Sequence, residues 1–136
     1  MENCVFCKIV TGEIPSQKVY EDSETIAFLD INPVNPGHTL VIPKSHFDNI
    51  EEVPETVLCN VIMTVKKVGN ALKKGLGIKG YNLQVNNDPI AGRIIPHIHV
   101  HIIPRREDDG LKLWPQGVYK EGESRQVADQ IAKAAS

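Results

Sequence analysis

Three of the five histidines in this chain alternate with apolar residues in one run, His97-Ile98-His99-Val100-His101. Successive side chains of an extended strand point to opposite faces of a sheet. The run therefore predicts a strand whose three imidazoles share one face, about 6.5 Å apart, while Ile98 and Val100 enter the core. The apolar face alone can hold such a strand, so the histidines are available for chemistry. An incidental polar face on an edge strand remains the alternative.

Imidazole can be a nucleophile, a proton carrier or a metal ligand near neutral pH. The run by itself leaves two functional interpretations open. One is a metal site, because His-x-His places two ligands on one face of a strand. The other is nucleophilic catalysis by imidazole. The sequence around the run is needed to decide between them.

Several other segments of the chain carry motifs in a recognisable order. They are residues 4–10 (CVFCKIV), 12–15 (GEIP), 27–33 (AFLDINP), 36–44 (PGHTLVIPK) and 86–105, which contains the histidine run. Together they closely resemble the histidine triad (HIT) family of nucleotide hydrolases and transferases. The resemblance extends from Cys4 to Arg105 and is far more specific than the triad alone.

The length and charge of the chain limit its architecture and partners. Its 136 residues predict one domain, residues 1–136, with a HIT core at about 4–105 and a C-terminal tail at 106–136. A charged fraction of 24% with a net charge of −2 argues against a general nucleic-acid-binding protein. No apolar run is long enough to span a membrane. Residues 1–4 show no signal-peptide features, so a cytoplasmic location is expected.

Periodicity predicts an α+β chain. A short helix is expected at 6–11, and strands at 18–21, 25–30, 38–42, 81–85 and 98–103. A long helix begins near Pro54 and ends at Gly75 and Gly77. Its apolar positions have helical spacing: Val57, Leu58, Val61, Ile62, Val65, Val68 and Leu72. Cys59 lies inside this pattern and is expected in the core.

These elements predict an antiparallel five-stranded sheet with one long helix packed on it. A last short helix is expected from about Glu123, with Val127 and Ile131 facing inward. Open sheet edges invite pairing with a second copy. The resemblance implies a homodimer.

Cys4 and Cys7 form a Cys-x-x-Cys motif, which is half of a zinc site. The resemblance implies that His46 and His97 complete a structural zinc site that is not required for chemistry. The alternative is two thiols that bind nothing.

The resemblance also implies the roles of the histidines. His99, in the middle of the triad, is the expected nucleophile toward the α-phosphorus of a nucleotide. It would form a nucleotidyl-histidine intermediate, which water then hydrolyses. His101 and His38 are the expected donors to the phosphoryl oxygens. His97 is either the zinc ligand or a further donor on the phosphate side.

The resemblance implies further residues that bind substrate. Asp30 matches an acceptor for the ribose hydroxyls, although it could equally be a turn-forming Asp before Asn32. Asn86 and Gly92 are expected near the phosphates. Phe6, Ile9, Phe28 and Ile31 could sandwich the base or could be plain core residues. Trp114 and Tyr119 lie in a tail that reaches the partner's site in related dimers.

Three residues near the triad depart from the family pattern. Arg93 replaces a usual Gln, Ile94 a small polar residue, and Asp88 a common glycine. Arg93 could favour substrates with extra phosphates or could pair with Asp88.

The main functional hypothesis is therefore a purine nucleoside phosphoramidase acting on a purine nucleotide substrate, without nucleic-acid or membrane partners. The alternatives are a dinucleoside polyphosphate hydrolase and a nucleotide-binding scaffold dimer with little turnover. A catalytic tri-histidine metal enzyme is disfavoured, because the thiols of Cys4 and Cys7 offer zinc a better site.

Overall fold

The computed structural model of the protein describes residues 3–136, so Met1 and Glu2 of the N-terminal segment lie outside the described residues. Its sheet has five strands in the order β1-β2-β3-β5-β4, and every neighbouring pair is antiparallel. The strands are β1 (Lys18–Glu21), β2 (Thr25–Leu29), β3 (Thr39–Pro43), β4 (Gly80–Gln84) and β5 (Val100–Arg105). The predicted α+β architecture is confirmed. Strand β3 ends at Pro43, one residue beyond the predicted end at 42.

One face of the sheet packs against the long helix α2 (Glu55–Leu76). The core on this face joins strand residues to helix residues: Ala27, Val41, Val100 and Ile102 with Val61, Val65, Val68 and Leu72. The prediction that Val100 enters the core is confirmed. Gly77 caps the helix with φ +67, whereas Gly75 lies inside it, so the predicted end at Gly75 is wrong.

Two expectations about helix burial are also wrong. Cys59 and Ile62 are exposed, because the buried stripe of α2 is narrower than its apolar pattern suggested. The last helix, α3 (Glu123–Ala135), begins where predicted and is described throughout, yet none of its residues is buried. Ile131 is 64% exposed and Val127 is only partly buried, so the prediction that both face inward is wrong for Ile131.

The other face of the sheet packs against the short helix α1 (Val5–Thr11). Alternation along β2 and β3 directs a second apolar set to this side: Ile26, Phe28, Leu40 and Ile42, which meet Phe6 and Ile9 of α1. Leu40 is in register with His101 of β5. The triad histidines therefore lie on the α1 face, opposite helix α2.

The turn before β3 fixes the position of His38. Gly37 has φ +94, a conformation that favours glycine, and a Cβ there would lie 2.7 Å from Leu76 Cδ1. This close approach allows the start of β3 to pack against the end of α2. Among the helices in residues 3–136, none is long and apolar enough to cross a membrane.

Candidate active site

A cleft of about 480 Å³ opens on the α1 face of the sheet. Nine residues predicted for catalysis or substrate binding line it: Phe6, Ile9, Phe28, Asp30, Ile31, Asn86, Gly92, His99 and His101. Phe6, Ile9 and Phe28 are also core residues, so these side chains belong both to the core and to the cleft lining, and their contact with a base stays a prediction. Ile14, which belongs to the 12–15 motif but was given no role in the site, and Ser16, which was not selected, line the cleft as well. The signal available for Ser16 was its position directly after that motif.

His99 is buried in the cleft wall with a defined proton position. Its Nδ1 lies 2.7 Å from the carbonyl oxygen of His97. A carbonyl oxygen can only accept, so Nδ1 carries the proton and Nε2 keeps a lone pair. Burial lowers the pKa of His99, although the His97 carbonyl and the negative charge of Asp30 act in the opposite direction. The ring is therefore neutral at pH 7, and its Nε2 is a free base.

A chain of hydrogen bonds fixes the protons of His101, which lines the cleft, and of His38, which supports it from behind. The backbone N–H of Val34 donates to His38 Nδ1 at 3.1 Å, so the proton of neutral His38 is on Nε2. That Nε2–H then donates to His101 Nδ1 at 2.9 Å. His101 accordingly carries its proton on Nε2. Burial is the main cause that lowers the pKa of His101, and the nearby His99 and His38 lower it further, to about 4.

Asp30 uses its two oxygens differently. Oδ1 accepts from the backbone N–H of Asn32 at 2.8 Å, which is the predicted turn contact. Oδ2 lies 3.7 Å from His38 Nε2. The side-chain ligand atoms of Asp30, His38 and His101 lie within 4.8 Å of one another, a spacing that could hold a cation. The Val34 hydrogen bond disfavours a cation, because it leaves the proton of His38 on Nε2.

The four residues predicted to bind zinc, which include His97 of the triad, converge in one group. The ligand atoms of Cys4, Cys7, His46 and His97 all lie within 4.8 Å of one another. Cys7 Sγ lies 3.3 Å from His46 Nδ1 and 3.5 Å from His97 Nδ1, and Cys4 Sγ is 3.5 Å from His97 Nδ1. Tetrahedral zinc with ordinary bond lengths would separate a sulfur from a nitrogen ligand by about 3.6 Å. The four side chains therefore fit such an ion.

The two histidines of this group are also held in the form that a metal needs. His97 Nε2 donates to the carbonyl of Pro43 and His46 Nε2 to Asp48 Oδ1, each at 2.9 Å. Both Nδ1 atoms therefore present lone pairs, and both rings are oriented from behind. Burial lowers the pKa of His97 to about 4. Burial and Cys4 raise the pKa of Cys7 to about 11, so its proton would leave on metal binding. Sequence reasoning missed Asp48, for which the His-x-Asp spacing was the available signal.

The loop before the triad contains the residues that depart from the family pattern. Asp88 has φ +70, which is strained for a residue with a side chain and explains why glycine is common there. Its Oδ1 accepts from Asn49 Nδ2 at 2.7 Å. Arg93 Nη1 donates to Asn49 Oδ1 at 2.7 Å. Arg93 is not among the described residues that line the cleft. Arg93 and Asp88 each bond to Asn49 instead of forming the suggested ion pair with one another.

The remaining predicted residues lie outside the cleft of their own chain. His38 supports His101 from behind, and His97 belongs to the cysteine group. Trp114 and Tyr119 are exposed in the tail and are not part of the described lining.

Comparison with known proteins gives consistent matches. The HIT domain family matches residues 11–108. An uncharacterised HIT-like protein of Methanocaldococcus jannaschii is 51% identical over 131 residues, covering 96% of each chain. The adenosine 5'-monophosphoramidase of Schizosaccharomyces pombe is 39% identical over 132 residues, again covering 96% of each.

The solved structures agree with these sequence matches. A Zn-bound histidine triad family protein from Mycobacterium smegmatis superposes with a TM-score of 0.78 at 33% identity, covering 98% of both chains. With the domain match spanning most of the chain, this protein belongs to the histidine triad family.

Proposed function

We propose that this protein is a purine nucleoside phosphoramidase that works through a nucleotidyl-histidine intermediate on His99. The observation that carries the proposal is the hydrogen bond from His99 Nδ1 to the His97 carbonyl. It leaves a neutral imidazole with its Nε2 lone pair in the wall of a cleft of nucleotide size. A neutral imidazole of this kind is a competent nucleophile toward phosphorus.

In the proposed reaction, the Nε2 lone pair of His99 forms a bond to the α-phosphorus. The bond from phosphorus to the leaving nitrogen breaks, and the amine departs with that electron pair and takes a proton from solvent. The positive charge that develops on the ring is stabilised by the Nδ1–H bond to the His97 carbonyl. Water then attacks the phosphorus, which releases the nucleoside monophosphate and restores the lone pair.

The neighbouring residues would bind the rest of the substrate. His101 is the donor to a phosphoryl oxygen through its Nε2–H, and the hydrogen bond from His38 holds that proton in place. Asp30 has one oxygen left for the ribose hydroxyls. Asn86 and Gly92 close the phosphate end of the cleft. The base lies among Phe6, Ile9, Phe28 and Ile31.

The placement of Arg93 supports one choice of leaving group. A guanidinium facing the cleft would have favoured dinucleoside polyphosphates, but Arg93 donates to Asn49 and supports the Gly92 loop instead. The Schizosaccharomyces relative is named as an adenosine 5'-monophosphoramidase. We therefore take adenosine 5'-phosphoramidate as the first substrate to test.

We further propose that Cys4, Cys7, His46 and His97 hold one structural zinc ion. The support is the convergence of their ligand atoms, the two oriented imidazoles and the Zn-bound relative from Mycobacterium smegmatis. A zinc ion at this position would link α1 to the segment before β5 and contribute to folding, while every proposed reaction step uses side chains on the cleft side.

A homodimer completes the proposal. Strand β4 is an edge of the sheet and exposes Leu83, while helix α2 exposes Ile62 and Met63. An apolar edge of this kind is suited to pairing with a second copy. The exposed Trp114 and Tyr119 of the tail would then reach toward the site of the partner.

The nucleotidyl intermediate gives a direct test. The protein is mixed with adenosine 5'-phosphoramidate and quenched in alkaline denaturant, because a phosphorus–nitrogen bond is acid-labile. Peptide mass spectrometry should then find one adenylyl group on the peptide that contains His99. The His99→Asn variant, treated identically, should show none.

Turnover by the wild type without any adenylylated peptide, under conditions that trap a synthetic phosphohistidine standard, would contradict the mechanism. Binding of AMP without turnover would favour the scaffold alternative.

A further inference from the structure

Helix α1 connects the cysteine group to the nucleotide cleft. Cys4 caps the helix and Cys7 lies in its first turn, and both thiols face His97. Phe6, between them in sequence, points to the cleft side, where its ring meets the ring of His99 edge-on with centroids 5.0 Å apart. Phe6 and Cys7 lie within one helix of 7 residues and Cys4 is its N-cap, so a shift of the helix moves all three together.

This helix is too short to be stable by itself, because isolated helices below about 12 residues are marginal in water. Within residues 3–136, the side-chain hydrogen bonds that join this helix to residues beyond position 13 all pass through Cys4 and Cys7. Thiols are weak donors and acceptors. Four bonds to a metal ion would replace these weak contacts with a rigid attachment.

His97 provides a second connection between the two sites. Its Nδ1 faces the thiols, its Nε2 donates to Pro43, and its carbonyl oxygen holds His99 Nδ1. The same residue therefore takes part in the metal group through its side chain and orients the proposed nucleophile through its backbone.

We infer that occupancy of the cysteine group by a divalent metal and binding of a nucleoside monophosphate in the cleft are energetically coupled through α1 and His97. Cys7 is then a positioning residue for the cleft wall formed by Phe6. The inference rests on the proposed function, including its zinc ion. Thermodynamic linkage requires that the metal tighten nucleotide binding by the same factor by which the nucleotide tightens metal binding.

The test measures both sides of this linkage with Zn²⁺ and AMP. Calorimetry gives the Kd of AMP for zinc-loaded and zinc-stripped protein. Competition with a chromophoric chelator gives the Kd of Zn²⁺ with and without saturating AMP. Both affinities should improve by one common factor, within the range of about 5- to 150-fold that is typical of coupled sites.

Two variants locate the coupling. Phe6→Leu removes the ring that meets His99 and should reduce the common factor, while Zn²⁺ affinity without AMP stays close to that of the wild type. Asp48→Asn weakens the support of His46 and should lower Zn²⁺ affinity by about 10- to 100-fold. AMP affinity of the zinc-saturated Asp48→Asn protein should equal that of the wild type, because Asp48 does not line the cleft.

Hydrogen exchange separates a local effect from global destabilisation. Zinc removal should accelerate exchange of the α1 amides and leave the α2 amides unchanged. The inference would be overturned by equal acceleration of amide exchange in α1 and α2, or by an AMP Kd that does not change with zinc. It would also be overturned by a coupling factor that is unchanged in Phe6→Leu. Failure of the wild type to bind Zn²⁺ would remove the metal assignment and the coupling with it. Failure to bind AMP in either state would instead remove the proposed function.

Discussion

The carbonyl oxygen of His97 lies 2.7 Å from His99 Nδ1, and this contact determines which nitrogen of the proposed nucleophile is free. The hydrogen bond also resists rotation of the ring, so Nε2 stays on the cleft side. Asparagine at position 99 would retain an N–H close to the Nδ1 position but would have no nucleophilic nitrogen. This makes His99→Asn a conservative test of the nucleophile.

We expect His99→Asn to lower kcat on adenosine 5'-phosphoramidate by at least about 10³-fold, a loss typical of removing a nucleophile. The Kd of AMP should stay within a few-fold of wild type. As a complementary experiment, His99→Gly should regain turnover on adenosine 5'-phosphorimidazolide, whose own imidazole occupies the space of the missing ring. Near wild-type kcat for His99→Asn would refute the assignment.

A second prediction concerns the pH dependence of stability. The pKa of His101 is about 4 in the folded protein, against about 6.5 for a free histidine. Because folding lowers this pKa, the unfolded chain binds the proton first. The stability contributed by neutral His101 is complete above pH 6.5 and is lost as the pH falls from 6.5 toward 4.

The measurement is the free energy of unfolding at several pH values, for the wild type and His101→Gln. Between pH 6 and 4.5, the decline should be shallower in the variant by at most about 1.4 kcal/mol per pH unit. A smaller difference is expected because the ring of His101 is partly solvated. Parallel curves for the two proteins would show that His101 binds its proton equally well in both states.

The fold followed from local patterns because its signals lie within single segments. Alternation at 98–102 and helical spacing at 57–72 predicted a strand and the long helix, and the antiparallel sheet is confirmed. Strand β5 begins only at Val100, so the prediction that all three histidines of the run lie in the strand is wrong for His97 and His99. Burial on α2 was less predictable, because Ile62 belongs to the apolar pattern but lies outside the stripe that meets the sheet. Sequence periodicity shows that a helix has an apolar side, and it does not show how wide the contact is.

The supporting contacts of the site were the least predictable part. The possible metal-binding group that includes Cys4 and His97 was expected from motifs, and its ligand atoms do lie close together. The contacts of Asn49 and of the Pro43 carbonyl depend on loops that meet only after folding. The sequence does not indicate which backbone carbonyl will accept a hydrogen bond, and an asparagine in a loop can make many different contacts.

The proposed dimer can be tested on the two edges of the sheet. Leu83 on β4 is 53% exposed, and Val19 on the opposite edge strand β1 is 48% exposed. Lysine at position 83 would place a charge in the proposed interface. Burial of a leucine is worth about 1.5–3 kcal/mol, so Leu83→Lys should raise the dimer dissociation constant at least about tenfold. Sedimentation velocity should show no change for Val19→Lys. Equal effects of the two substitutions, or no effect of Leu83→Lys, would place the interface elsewhere.

The last prediction concerns Arg93, whose Nη1 donates to Asn49 Oδ1 at 2.7 Å. A residue that acts by supporting the Gly92 loop should affect every substrate alike, whereas a residue that binds extra phosphates should affect polyphosphates more. Loss of a hydrogen bond from a charged donor costs about 1.5–3 kcal/mol, or roughly 10- to 150-fold when fully expressed. We therefore expect Arg93→Gln to lower kcat/KM on adenosine phosphoramidate and on a dinucleoside polyphosphate by the same factor, within this range. Asn49→Ala, which removes the acceptor, should reproduce that loss on both substrates. If Arg93→Gln lowered kcat/KM selectively on the polyphosphate and Asn49→Ala did not, Arg93 would belong to the leaving-group site.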